Sequence, residues 1–208
     1  LPMDKNLRYE SDREEPQVET VLDFSSSQGI LREAEKCNGS GDCRKLPEFG
    51  GTMCPSYRAT RNEKDTTRAR ANALREFLTH SEQANKFNHK ELKEVFDLCL
   101  SCKACASECP SNVDVATLKA EFLYQYYKSN KPTLRDKAFG FASKGNALAS
   151  KFPSISKAVM TNSVTSSLLK KTLRIAPKRA LPVVSKKPFS HYIKQYKKFQ
   201  KFYMNKSF

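Results

Sequence analysis

Apolar residues recur along this chain at helical spacing. Ile30, Leu31 and Ala34 mark a short helix behind Ser25, Ser26 and Ser27, which can act as N-caps, and that helix runs into Cys37. Ala71, Leu74, Phe77 and Leu78 share one face of a segment that Thr66 or Thr67 can cap. Asn88, with Glu91 three residues on, reads as a capping box before Leu92, Val95, Phe96 and Cys99 at helical spacing. Asp114 starts a further segment with Val115, Leu118, Phe122 and Tyr126 in a stripe. Near the C-terminus Tyr192, Tyr196, Phe199 and Tyr203 fall at i, i+4, i+7 and i+11, with Lys194, Lys197, Lys198 and Lys201 between them. No alternating strand pattern competes, so the sequence predicts an all-α fold with a tail that is helical in pieces. Pro47, Gly50-Gly51 and Cys54-Pro55 mark a loop. Residues 1–24, charged from Arg8 to Glu15 and interrupted by Pro16, read as an extended connector.

Composition narrows this picture. Leu, Ile, Val and Phe total 44 of 208 residues, close to the share below which a strongly charged chain fails to pack. One modest domain with loosely packed flanks is expected, not two full domains. No apolar run approaches the length of a membrane span. The start, Leu1-Pro2-Met3-Asp4, lacks the basic and apolar regions of a secretory signal, and a chain that begins with Leu reads as a fragment or processed piece. The net charge of +15 is unevenly spread. Residues 1–127 carry 18 basic and 21 acidic side chains, whereas residues 128–208 carry 19 basic and one acidic, Asp136. The expected division is a connector at 1–24, a cysteine-bearing helical domain at 25–127 and a basic helical tail at 128–208.

All seven cysteines precede the tail. An odd number in a chain without a secretory signal argues for a reducing compartment, the cytoplasm, and for metal or redox chemistry. Cys99-x2-Cys102-x2-Cys105-x3-Cys109-Pro110 is the bacterial ferredoxin run, in which three close cysteines hold one cluster and the fourth ligates another. The two-residue spacers let the backbone curl so that successive sulfurs meet adjacent irons while amide N–H groups face the sulfides. Upstream, Cys37-x2-Ser40-x2-Cys43 is a degenerate copy, and Cys54-Pro55 closes it after a longer loop. By the same exchange, Cys54 joins Cys99, Cys102 and Cys105 around a 4Fe-4S cluster, and Cys109 joins Cys37 and Cys43. Three thiolates suit a 3Fe-4S cluster, or an incomplete 4Fe-4S site. Ser40 as an alkoxide ligand, zinc in place of iron, and Cys99 as a merely buried thiol are the alternatives. His80, His89 and His191 read as solvated side chains, not ligands. Arg58, Arg61, Arg68 and Arg70 read equally as charge compensation for the clusters or as a solvated face paired with Glu63, Asp65 and Glu76.

Cys37-Asn38-Gly39-x-Gly41-x-Cys43-Arg44-Lys45, Met53-Cys54-Pro55-Ser56-Tyr57-Arg58-Ala59-Thr60 and Glu63-Lys64-x-x-Thr67-Arg68 resemble the iron–sulfur segment of FAD-linked oxidases of the D-lactate, glycolate and D-2-hydroxyglutarate dehydrogenase type. Asp97 to Cys105, Glu108 to Asp114 and Leu118 to Phe122 continue the match, which runs from about Asn6 to Lys137. The resemblance implies a helical ferredoxin-like dicluster domain. It also implies an upstream flavin domain that oxidises a 2-hydroxy acid, most readily D-lactate, with residues 1–24 as its exit. Electrons would pass to a quinone, cytochrome or partner protein. The three-thiolate motif is also similar to that of the succinate dehydrogenase and fumarate reductase iron–sulfur subunit. The rival class is a metal-stapled, basic nucleic-acid-binding protein, suggested by the tail. A third use of the tail is peripheral docking at the anionic inner face of a membrane, and the bland one is a solvated charge run.

Overall fold

The computed structural model describes residue 5, residues 15–185, residue 187 and residues 189–204. The charged run from Arg8 to Glu14, the start of the resemblance at Asn6 and the terminal Phe208 lie outside these residues. So do the side chains of Lys201 and Tyr203. Among the described residues every regular element is helical, and none is a strand. The chain divides into two compact units, Leu1–Lys131 and Pro132–Phe208.

The first unit contains α1 (Ile30–Glu35), α2 (Pro55–Thr60), α3 (Thr67–His80), α4 (Lys90–Asp97), α5 (Ala104–Glu108) and α6 (Val115–Ser129). Helix α3 is the hub, packing against α1, α4 and α6. Its start is set by Thr66, whose hydroxyl accepts the Ala69 N–H, and its buried face carries Ala71, Leu74 and Leu78. Asp114 caps α6 in the same way by accepting the Thr117 N–H, and the stripe Val115, Leu118 and Phe122 turns inward. Phe122 stacks on Phe96 of α4, with ring centroids 5.1 Å apart. Ile30, Leu31 and Ala34 of α1 complete the core. Each fully buried aliphatic or aromatic side chain here contributes about 1.5–3 kcal/mol.

Two expected caps are not formed. Ser25–Ser27 make a 3-10 turn of their own, and the N-cap of α1 is Gly29. Helix α4 begins at Lys90 behind His89, without a side-chain cap, because the Asn88 amide oxygen instead accepts from the Asn130 side chain at 2.6 Å. The helix ends at Asp97, so Cys99 lies beyond it.

Residues 19–24 do not run free of the helices. Glu121 of α6 is 1% exposed, and its carboxylate accepts the backbone N–H groups of Val21 and Leu22 at 3.2 and 3.0 Å and the Gln125 amide at 2.7 Å. Gln125 in turn donates to the Glu19 carbonyl, and Phe24 is buried. The buried Glu121 carboxylate is tolerable because three donors meet it.

The second unit contains α7 (Leu134–Gly140), α8 (Ala142–Ala149), α9 (Pro153–Thr161), α10 (Ser163–Thr172) and α11 (Phe189–Met204). Thr133 and Asp136 form a reciprocal capping box at α7, and Asn162 caps α10. Among the described residues no helix is long and apolar enough to cross a membrane.

Glu121→Ala is expected to cost about 1–3 kcal/mol by removing the charged acceptor that holds the Val21 and Leu22 amides to α6. Urea unfolding with residue-resolved hydrogen exchange checks this. Faster exchange confined to Val21, Leu22 and their neighbours supports the clamp, and unchanged exchange there contradicts it.

Candidate metal centre

Six of the seven cysteines belong to or pack against the core of the first unit. Cys37, Cys43, Cys54 and Cys105 are buried, Cys99 and Cys109 are half-buried, and Cys102 is exposed. Cys54, Cys99, Cys102 and Cys105 line one cavity, together with Thr67, Arg70, Val115 and Ala116. Cys54 thus arrives from the α1–α2 segment beside the triplet that precedes and enters α5. Cys37, Cys43 and Cys109 do not line this cavity. Among the described residues no group of three His, Cys, Asp or Glu side chains is placed so as to hold a metal ion.

The loops that present these sulfurs are tightly bent. Cys54 has φ 54°, and Ser101 and Lys103, on either side of Cys102, have φ 52° and 60°. Left-handed backbone at non-glycine residues costs about 1–3 kcal/mol each and persists where the surroundings impose it, typically at functional sites. Gly39 and Gly41 take the same left-handed turn, at φ 79° and 81°, on both sides of the exposed Ser40. Glycine adopts it without a Cβ penalty.

Donors converge on the sulfurs from helix starts. The Thr67 N–H donates to Cys54 Sγ at 3.0 Å, and the Thr67 hydroxyl lies 2.9 Å from it. Cys43 shares a hydrogen bond with Cys54, which is the main cause lowering its pKa to about 6. The Arg68 backbone N–H and the Thr66 hydroxyl lower it further against the opposing effect of burial. Cys54, holding the shared proton, is pushed up. Burial raises Cys105, opposed by the Val115 and Ala116 N–H groups at the start of α6. The N-terminal turns of α3 and α6 therefore point partial positive charge at thiols of the site, α3 at Cys54 and Cys43 and α6 at Cys105.

One cation lines the cavity and a second reaches the backbone of Cys99. Arg70 is 2% exposed; it donates to the Val95 carbonyl at 3.0 Å, to the Ser56 hydroxyl at 3.1 Å and to the Asp65 carbonyl at 2.6 Å. Its Nη2 lies 3.5 Å from Asp65 Oδ1, and neither atom has a hydrogen-bond partner. Lys119 of α6 donates to the Cys99 carbonyl at 2.6 Å, and burial lowers its pKa. The arginines thus separate by role. Arg70 is buried at the cavity, Arg68 pairs with Glu63, and Arg58 binds the Gly50 and Gly51 carbonyls.

Sequence reasoning gave Glu108 and Lys119 no role of their own and read Thr67 only as a candidate cap and a motif residue. Glu108, next to Cys109, accepts the Thr52 and Met53 N–H groups at 2.8–2.9 Å and the Thr52 hydroxyl at 2.5 Å. These bonds depress its pKa and tie the loop before Cys54 to the loop of Cys109. Its only sequence signal was its place beside a Cys-Pro pair. His89 is half-buried: it bonds Ser81 and packs on Phe77 with centroids 4.4 Å apart, so it is not simply solvated. His80 is exposed beside Glu76.

Soft sulfur donors on one wall, with N–H groups and a guanidinium among them, suit a cluster of iron and sulfide in preference to a hard cation. Among its described residues the first unit is all-helical, and it holds two cysteine motifs that end in Cys-Pro. Residues 36–114 match the family described as the 4Fe-4S dicluster domain. The chain is 29% identical over 171 residues to D-2-hydroxyglutarate dehydrogenase of Pseudomonas putida, covering 65% of this chain and 16% of that protein. It is 31% identical over 140 residues to D-2-hydroxyglutarate dehydrogenase of Escherichia coli, covering 50% and 14%. For the Haemophilus influenzae enzyme of the same name the identity is 30% over 127 residues, covering 45% and 12%. The chain therefore spans about a sixth or less of the length of these relatives. No solved structure matches.

Arg70→Met removes one partner of a buried ion pair and strands Asp65, which is 1% exposed. The expected cost is about 3–5 kcal/mol. Denaturant unfolding of the anaerobically prepared protein measures it, and a loss under about 0.5 kcal/mol contradicts the buried-pair geometry.

Proposed function

We propose that this chain is the iron–sulfur electron-transfer section of an FAD-dependent 2-hydroxy-acid dehydrogenase. Cys54, Cys99, Cys102 and Cys105 would hold a 4Fe-4S cluster, and Cys37, Cys43 and Cys109 a 3Fe-4S cluster or an incomplete 4Fe-4S site. When bound, such clusters supply one-electron carriers between a two-electron flavin and the acceptor, whether quinone, cytochrome or partner protein. The observation that carries the reading is the shared cavity wall of Cys54 with Cys99, Cys102 and Cys105. Cys54 stands 45 residues or more before the others in sequence, as the exchange of ligands between two motifs requires.

The protein's own residues do three things for such a site. The bent loops at Cys54 and around Cys102 fix the sulfur directions. The helix starts at Thr67 and Val115 favour negative charge on buried sulfur. The apolar core of Leu74, Phe96, Leu118 and Phe122 excludes water from the inner side. Cys43, close to Cys54, sits where two ligand sets would adjoin, which favours short electron transfer between them.

The relatives' names favour D-2-hydroxyglutarate over D-lactate as the substrate. The flavin belongs to a domain fused to this section in the full enzyme. The relatives give the nucleic-acid alternative no support.

The test is Cys102→Ala in the flavin-containing protein, followed by EPR before and after anaerobic addition of D-2-hydroxyglutarate. Wild type is expected to show substrate-reduced iron–sulfur signals. The variant is expected to lose the four-iron signal and keep much of the other. Signals untouched by the substitution, or unmoved by D-2-hydroxyglutarate, D-lactate and glycolate alike, contradict the proposal.

A further inference from the structure

The second unit presents a chemistry that electron transfer does not use. Residues 132–208 contain 17 Lys and Arg against a single acid, Asp136, and that carboxylate is engaged in the capping box of α7. An ordinary solvated helix offsets its lysines with Glu or Asp three or four residues away. Helix α11 has no acidic residue at all. Its lysines therefore have no acidic partner within the helix.

The same helix is two-sided, with Gln200 the one described polar residue inside its apolar arc. At about 100° per residue, Phe189, Tyr192, Ile193, Tyr196 and Phe199 fall within an arc of about 120°. They are exposed by 77, 51, 39, 61 and 58%. Lys194, Lys197 and Lys198 occupy the shoulder and back of the helix. This is the pattern of a helix that lies in an interface, with aromatic and aliphatic groups on one side and basic groups on the other. Lysine stems reach along such a surface while their ammonium groups stay at headgroup level, and tyrosine rings suit the same depth.

We infer that α11 docks on an anionic lipid surface, with its Phe189–Phe199 face at the level of the acyl boundary and its lysines among lipid phosphates. Charge complementarity selects this occupant. A second copy of a unit this basic repels the first. A nucleic-acid backbone would satisfy the lysines but gives the aliphatic Ile193 no matching surface. The docking does not depend on the redox reading, since it concerns residues of the other unit.

Vesicle flotation of the intact chain tests it. Vesicles containing phosphatidylglycerol should carry the protein up at low salt, vesicles of phosphatidylcholine alone should not, and high salt should weaken the binding. Ile193→Glu/Tyr196→Glu and, separately, Lys194→Gln/Lys197→Gln/Lys198→Gln should each lower the bound-to-free ratio at least about tenfold. Unchanged helical circular dichroism shows that the variants still fold. The inference is overturned by no flotation on anionic vesicles, by equal flotation of the Ile193/Tyr196 variant, or by single-stranded nucleic acid binding that this variant retains while flotation is absent.

Discussion

Sulfur that carries negative charge inside a protein must be met there by hydrogen-bond donors and positive charge, because water cannot reach it. The first unit is arranged around that requirement. The N-terminal turn of α3 faces Cys54 and Cys43, the N-terminal turn of α6 faces Cys105, and Arg70 lies buried on the same cavity wall. None of these donors is stable alone. Arg70 is held by Asp65, Ser56 and Val95, and so joins the turn before α3 with α2 and α4. The helix starts are held by Thr66 and Asp114 and by the apolar stripes behind them. Core packing and site electrostatics are therefore one construction: loosening α3 from α6 would separate the donors from the thiols they serve.

The loops obey the same constraint from the other side. Short spacers between cysteines cannot follow a helix or strand and still turn each sulfur inward, so the backbone enters left-handed conformations at Ser101 and Lys103, and Cys54 takes one at the end of its longer loop. Glu108 then ties the Thr52–Met53 backbone to the segment that ends in Cys109. Two pieces of chain distant in sequence are thereby held side by side next to the cysteine of each motif.

Much of this was legible from residues alone, for definable reasons. The α3 and α6 stripes are long, periodic and preceded by residues that do cap them. The cysteine spacing carries its own geometry, which is why a wall shared by Cys54 and the triplet could be expected. Capping at α4 and α1 was misjudged because Asn88 has a tertiary partner in Asn130, and because the serines close a turn of their own. The buried charges were invisible in sequence. Arg70 resembles its neighbours Arg68 and Arg75, and Glu121 resembles any solvated helix carboxylate, until α4 covers the one and Val21–Leu22 reach the other. The basic tail was legible as charge and helix, but only the fold shows that its single acid is taken up by a cap and its aromatic face lies open.

The most direct measurement is iron and acid-labile sulfide per chain in strictly anaerobic, folded protein, with EPR of the oxidised and reduced states. The account predicts a brown protein with about seven irons, the sum for one four-iron and one three-iron cluster, and two distinguishable signals. A colourless, fully helical preparation, or one carrying a single zinc ion in place of iron, would contradict it.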